Sequence, residues 1–196
     1  VRDLGLVTAA MHVALAESFG TVPGEARAWA DAMVVQAGRV PLPDGLGAAA
    51  LERYAAFGSS TGVGASMRIH GDYHLGQVLH HRGHWYVLDF EGEPARPVTE
   101  RVAPSSPLRD VAGMLRSFGY AAVVGGLPPI WEREARQRFL RGYFAAPELA
   151  PLLPAEPTPV LAAFELDKAV YEVGYERASR PSWEPVPLSA VRRLLA

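Results

Sequence analysis

Three oxygen-bearing side chains, Asp72, Gln77 and Asp89, lie within the stretch Met67 to Pro94, M-R-I-H-G-D-Y-H-L-G-Q-V-L-H-H-R-G-H-W-Y-V-L-D-F-E-G-E-P, and their spacing points to phosphoryl transfer. Asp72 follows a short apolar lead-in and Gly71, which lets the backbone turn sharply, so its carboxylate projects from a loop. Gln77 comes five residues later, and Asp89 ends an apolar strand, Trp85 to Leu88, after an expected hairpin. Moving a phosphoryl group needs one carboxylate facing the attacking hydroxyl and further oxygens facing a cation that neutralises the phosphate. Mg2+ is a hard cation that prefers oxygen ligands, which Gln77 and Asp89 supply; Glu91 is a further candidate, for a second metal or for the acceptor. His70 is better placed to brace the turn than to react.

An isolated H-G-D is common by chance, and an Asp in a turn is usually only a turn former. The reading rests on the combination with Gln77, the hairpin and the strand-end Asp89, which is the order of parts in protein kinases. Zinc hydrolysis is the alternative from the same stretch, since His70, His74, His80, His81 and His84 crowd it. Gly71 argues against a helix carrying His70 and His74, and the other three flank Gly83 in what reads as a solvated hairpin tip.

Composition narrows the partners. The chain has 196 residues, 49% of them hydrophobic, enough for one medium domain or one lobe of a larger enzyme. A net charge of −2 gives no nucleic-acid or membrane-surface footprint, and the absence of cysteine excludes disulfides and thiolate metal sites. The longest apolar run, around Tyr120 to Trp131, is too short and too interrupted to span a bilayer, so a cytoplasmic protein is expected. The chain opens inside a helical pattern, and Lys168 is its only lysine. Neither a lysine-bearing strand nor a phosphate-covering glycine loop precedes residue 67: Gly58 to Gly64, G-S-S-T-G-V-G, reads as a flexible connector. The expectation is a fragment with a catalytic centre but no evident nucleotide-gripping N-lobe.

The positioning elements are mostly helices. Apolar spacing predicts them over Asp3 to Phe19 (stripe Leu6, Ala9, Ala10, Val13, Leu15, Phe19), Gly24 to Gly38 (Ala26, Trp29, Ala30, Met33, Val34, Ala37) and Leu46 to Phe57. Ser106-Pro107 caps a helix to about Ser117 or Phe118, with Leu108, Val111, Ala112 and Leu115 inward and Asp110 in its first turn. Trp131 to Phe144 reads as a charged-face helix, Ala145 to Pro159 as a surface linker, and Leu188 to Leu195 as a final short helix. The longest helix starts at Pro159 or Val160 and ends near Ala178; Lys168, Tyr171 and Tyr175 recur on one of its faces, offering aromatic planes and polar tips suited to a sugar. His12 reads as a packed helix residue outside the chemistry.

R-I-H-G-D-Y-H-L-G-Q-V-L, V-L-D-F-E-G-E-P-A-R-P, S-P-L-R-D-V-A-G-M-L-R-S-F, F-E-L-D-K-A-V-Y-E-V-G-Y-E and R-P-S-W resemble the C-terminal lobe of actinobacterial maltokinases, in the aminoglycoside-phosphotransferase branch of the protein-kinase-like fold. The resemblance covers most of residues 67–120 and 164–183. It implies an α+β, mostly α-helical kinase-like lobe over 1–196, with a helical lead-in to residue 66, the catalytic loop, hairpin and metal-binding strand end over 67–94, and a helical sugar-binding subdomain over 106–196. By motif position Asp72 is the catalytic base, Gln77 and Asp89 the Mg2+ ligands, and Lys168, Tyr171 and Tyr175 the sugar-binding face, with Asp110 bracing the catalytic loop. The implied reaction is ATP-dependent phosphorylation of maltose to maltose 1-phosphate for α-glucan (glycogen) synthesis, with trehalose synthase as a family-level partner. Glucosamine kinase is the alternative, since closely similar proteins phosphorylate glucosamine; a non-catalytic sugar- or partner-binding module is the alternative from another class.

Overall fold

The structure, a computed structural model, describes residues 1–92 and 98–196. In chain order its elements are α1 (Arg2–Phe19), β1 (Thr21–Pro23), α2 (Ala26–Ala37), α3 (Leu46–Gly58), β2 (Ala65–Met67), β3 (Val78–His81), β4 (His84–Val87), α4 (Val98–Arg101), α5 (Pro107–Val124), α6 (Pro129–Tyr143), α7 (Pro157–Ser179) and α8 (Pro185–Leu195). The architecture is mostly helical α+β, with two two-stranded antiparallel sheets among the described residues. It forms two compact units, each built from two stretches of chain: 1–24 with 64–154, and 25–63 with 155–196.

In the first unit α5 is the central helix. Ser106 Oγ accepts from Leu108 N at 3.2 Å and Pro107 occupies the first turn, the start that the sequence announces. Leu108, Val111, Ala112 and Leu115 are fully buried, as expected, but so are Met114 and Phe118 on the remaining faces. The helix continues past the expected stop at residue 117 or 118 to Val124. An interior Gly119 costs a helix only about 1 kcal/mol, and the added turn buries Ala122.

α1 presents a different face from the one its apolar spacing predicts. Leu4, Gly5, Thr8, Ala9 and His12 are buried, whereas Ala10 is exposed and Phe19 is 68% exposed. The cause is close backbone contact with α6: a Cβ on Gly5 would run into the Phe139 carbonyl, and one on Gly142 into the Arg2 carbonyl. Hydrogen-bonded polar groups then fill the buried face, which a search for apolar stripes passes over.

β1 and β2 pair in the register Thr21↔Met67, Val22↔Ser66 and Pro23↔Ala65. Met67 also exchanges two 2.9 Å backbone hydrogen bonds with Ser105, so β2 is held on both edges where it leads into His70. The stretch expected as a surface linker also serves this unit. Leu149, Leu152 and Pro154 are buried, and the Leu152 carbonyl accepts from Ala65 N at 2.9 Å. β3 and β4 form a hairpin closed by Arg82 and Gly83, with φ of 49° and 84°, the type I′ geometry that matches strand twist.

The second unit packs α2 and α3 on α7. Ala26, Ala30 and Met33 of the expected α2 stripe are buried, while Val34 is 38% exposed. Trp29 and Phe57 meet the ring of Phe164 edge-on, at centroid distances of 5.4 and 6.1 Å. Gln36 Nε2 donates to Asp167 Oδ1 at 2.7 Å, and Arg177 pairs with Glu184 at 2.8 Å. α7 begins at Pro157, earlier than expected, because prolines at 157 and 159 fall in a first turn that needs no backbone donor.

Candidate active site

Asp110 is the anchor of the first unit. It is 2% exposed, and its carboxylate accepts from His70 N at 2.8 Å, Gly71 N at 2.9 Å and His12 Nε2 at 3.1 Å. Burial alone would push this carboxyl up; the His12 hydrogen bond, the neighbouring His12 and His70 rings and the Gly71 N–H outweigh it, holding the group below its usual 3.8. Asp110 is therefore an anion with its oxygens committed to donors, two of them the backbone amides immediately before Asp72. Gly71, at φ 86°, makes the turn that lets both amides face it.

His70 ties that turn to the end of β4. Its Nε2 lies 2.8 Å from the Leu88 carbonyl, an acceptor only, so Nε2 carries the proton; Nδ1 accepts from Asp72 N at 3.4 Å. The ring lies against Tyr73 and Phe90, at centroid distances of 5.2 and 5.0 Å. Thr8 donates to the Leu4 carbonyl, so the Tyr73 hydroxyl donates to Thr8 Oγ1 at 2.8 Å. Burial, with the Asp110 charge also acting to raise it, pushes the Tyr73 phenol up to about 12, which keeps it a neutral donor.

The backbone of this loop rests directly on α5. A Cβ on Gly113 would lie 2.6 Å from the Tyr73 carbonyl oxygen. Gly113→Ala is expected to destabilise the protein by about 1–3 kcal/mol, as overpacking does, although Ala is the better helix former. Urea denaturation measures this, and a stabilised variant would show that the contact yields freely. One turn on, Ser117 Oγ accepts from Leu75 N at 3.2 Å while donating to the Met114 carbonyl at 2.7 Å.

Asp72 is part-buried, with its side chain 17% exposed, and Oδ2 lies 3.8 Å from His74 Nε2. His74 Nδ1 accepts from Gly76 N at 3.0 Å, which leaves the proton on the nitrogen facing Asp72. The hairpin brings Gln77 to Asp89: Leu88 N donates to the Gln77 carbonyl at 2.9 Å, and Gln77 Nε2 donates to Asp89 Oδ2 at 3.2 Å. Asp89 sits at φ 60°, a left-handed conformation that a residue with a Cβ pays for in strain and that recurs where a side chain must be aimed. Glu91 is exposed on the turn that follows, and Gly92, at φ 74°, backs onto Gly71, whose Cβ position lies 3.5 Å from Gly92 Cα. The H-G-D turn and the D-F-E-G turn are thus in contact. Glu93 and Pro94 lie outside the described residues.

His80, His81 and His84 are exposed on the hairpin, His80 against Trp85 at 4.7 Å. No group of three or more His, Cys, Asp or Glu side chains among the described residues is arranged to hold a metal ion.

Lys168, Tyr171 and Tyr175 lie in the second unit and share a face of α7: the Lys168 ammonium sits 4.9 Å over the Tyr171 ring, which stacks on Tyr175 at 6.4 Å. Glu172, the other polar residue at that spacing, is buried. Sequence reasoning overlooked His12, Tyr143, Gly113 and Ser117 as parts of the site's support. A histidine on the buried face of α1 was the available signal for the first; the others carry none, because Tyr143 acts through the contact of α6 with α1, and Gly113 and Ser117 through that of α5 with the loop at 73–75.

No family model matches the chain. The glucosamine kinase of Mycolicibacterium smegmatis is 36% identical over 135 residues, covering 64% of this chain and 34% of that protein. The glucosamine kinase of Streptacidiphilus jiangxiensis is 32% identical over 162 residues, covering 72% of this chain and 36% of that protein. Among solved structures, a glucosamine kinase in complex with glucosamine, ADP and inorganic phosphate superposes with a TM-score of 0.84 at 28% identity, covering 100% of this chain and 51% of that one. A second glucosamine kinase structure, crystal form B, gives the same TM-score at 29% identity. The chain spans about a third of the curated relatives and about half of the solved chains it matches. These relatives are named for glucosamine, the alternative acceptor, and not for maltose. Across its whole length this chain shares the fold of about half of a glucosamine kinase, and its homologues are glucosamine kinases.

Proposed function

We propose that the protein carrying this chain is an ATP-dependent sugar kinase of the protein-kinase-like fold whose acceptor is glucosamine or a closely related amino sugar. The observation that carries the reading is the meeting of Gln77 with Asp89 beside a turn whose two backbone amides are fixed by Asp110. The relatives supply the acceptor class: one is solved with glucosamine, ADP and inorganic phosphate. The reading locates the site's working end in this chain and makes the activity a property of the whole protein.

Asp72 is the group that takes the proton as a sugar hydroxyl attacks the γ-phosphorus of ATP; the bond to the β-phosphate oxygen breaks and ADP leaves. The Gln77 amide, turned so that its oxygen replaces Nε2 beside Asp89, and the Asp89 carboxylate would offer Mg2+ hard oxygen donors on one hairpin end, the carboxylate aimed by a strained backbone. When bound, that ion neutralises charge on the phosphates. Glu91, exposed on the same turn, is proposed as a further oxygen ligand. His74 shields one side of the Asp72 carboxylate, and His70 keeps the two turns in register. Lys168, Tyr171 and Tyr175 are assigned to the sugar, whose C–H faces pack on aromatic planes. The trehalose synthase association and the α-glucan role belong to maltose as acceptor and fall away with it.

A coupled assay of ADP release by the complete protein, with glucosamine and maltose offered separately with Mg-ATP, tests the acceptor. At least a tenfold higher kcat/KM for glucosamine is expected, which corresponds to about 1.4 kcal/mol of transition-state discrimination. An equal or higher value for maltose would return the acceptor to maltose. Calorimetric binding of glucosamine without any turnover would make the chain a sugar-binding module.

A further inference from the structure

His12 and Tyr143 form a buried polar pair that the reaction does not use. His12 is completely buried in α1, its Nε2 3.1 Å from Asp110 Oδ2 and its Nδ1 2.9 Å from the Tyr143 hydroxyl. Tyr143, the last residue of α6, is equally buried and cannot swing away: it stacks parallel to Phe139 at 6.5 Å, Phe144 meets it edge-on at 5.3 Å, and its ring stands at 87° to the imidazole. Gly5 and Gly142 allow α1 and α6 the approach that puts the hydroxyl there.

The protons can be placed by elimination. The Asp110 carboxylate is an anion and only accepts, so His12 Nε2 must donate. If Nδ1 also carried a proton, it would donate to the Tyr143 oxygen, and the phenolic proton would be left in a dry interior without an acceptor. An unmade buried hydrogen bond of that kind costs about 1–3 kcal/mol. In the neutral Nε2–H form Nδ1 accepts from Tyr143, and each proton has a partner. The Tyr143 phenol, raised well above its usual value by burial and by the Asp110 charge, keeps its hydrogen.

We infer that Tyr143 is a positioning residue for the Asp72 turn: by donating to His12 Nδ1 it fixes the imidazole in the tautomer that hydrogen-bonds Asp110, and Asp110 in turn holds the His70 and Gly71 amides. The chain of contacts is Tyr143, His12, Asp110, then the backbone leading into Asp72. The inference rests on the reading of Asp72 as the base, since only then does displacement of that turn slow a reaction. A displacement of about 1 Å is enough to cost up to a hundredfold in rate.

Histidine nitrogen NMR on the unaltered complete protein at neutral pH is the first test. His12 should be a neutral imidazole protonated on Nε2; an Nδ1–H tautomer or an imidazolium overturns the inference and needs no variant. The second test is Tyr143→Phe, which removes one oxygen from a packed ring. The variant is expected to lose the single His12 tautomer, to exchange the His70 and Gly71 amides faster than the unaltered protein while α2 and α3 amides are unchanged, and to show about tenfold lower kcat with KM for sugar and ATP unchanged. Unaltered kcat and unaltered exchange at those two amides overturn it. If Asp72→Asn retains activity, the base assignment fails, yet the NMR and exchange readings still judge the Tyr143 contact. If Asp72→Asn is inactive and Tyr143→Phe is normal, only the Tyr143 role is lost.

Discussion

Asp72→Asn is expected to lower kcat by roughly a thousandfold, within the range over which a positioned general base contributes, and to leave the melting temperature and the affinity for sugar nearly unchanged. Asn preserves the size of the side chain and its contact with His74 but cannot take a proton from a hydroxyl at neutral pH. The buried half of the turn, where His70 and Gly71 meet Asp110, is untouched by the change. A thousandfold is about 4 kcal/mol of transition-state stabilisation, so a coupled ADP assay reads it easily. Retention of more than a tenth of the activity would remove Asp72 from the chemistry and leave it a turn former.

Asp110→Ala is expected to have the largest effect on stability, a loss of at least about 3 kcal/mol, since each buried donor left without its acceptor costs about 1–3 kcal/mol. Three donors, His12 Nε2–H and the amides of His70 and Gly71, would lose their acceptor, the first two of them fully buried. Urea unfolding measures the loss, and a loss below about 1 kcal/mol would mean that water or a neighbour replaces the carboxylate. The acid side gives a second reading. Because the folded carboxyl lies below its usual 3.8, Asp110 contributes its full stabilisation above about that pH and loses it as the pH falls through the lower folded value. The unaltered protein should therefore show a steeper fall in stability below about pH 4 than Asp110→Ala does.

What the sequence conveys about the fold follows from where apolar contrast is strong. The faces of α2 and α5 come from regular spacing of apolar residues on helices that bury them, and the hairpin comes from Gly83 between two short strands. α1 is misread because its buried face holds Gly5, Thr8 and His12, while its large apolar Phe19 is exposed. β1 and β2 have three residues each, too few for any period, and Leu149 and Leu152 are hidden among prolines that signal only a loop. At the proposed site the order of Asp72, Gln77 and Asp89 is visible because phosphoryl transfer would constrain residue type and local spacing. Tyr143 stands 71 positions from Asp72, and only a tertiary contact of α6 with α1 makes it relevant. The choice of acceptor was no more legible, since amino sugars and disaccharides call on the same aromatic and polar residue types.

The interleaving of the two units has a consequence for synthesis on the ribosome. The α2–α3 pair leaves the exit tunnel before its packing partner Phe164 exists, and about ninety residues of the other unit must be translated first. At common elongation rates that interval is on the order of ten seconds, during which Trp29 and Phe57 lack the Phe164 ring they pack on. Nascent-chain capture by a chaperone should accordingly peak while residues 64–154 emerge and decline once α7 is out.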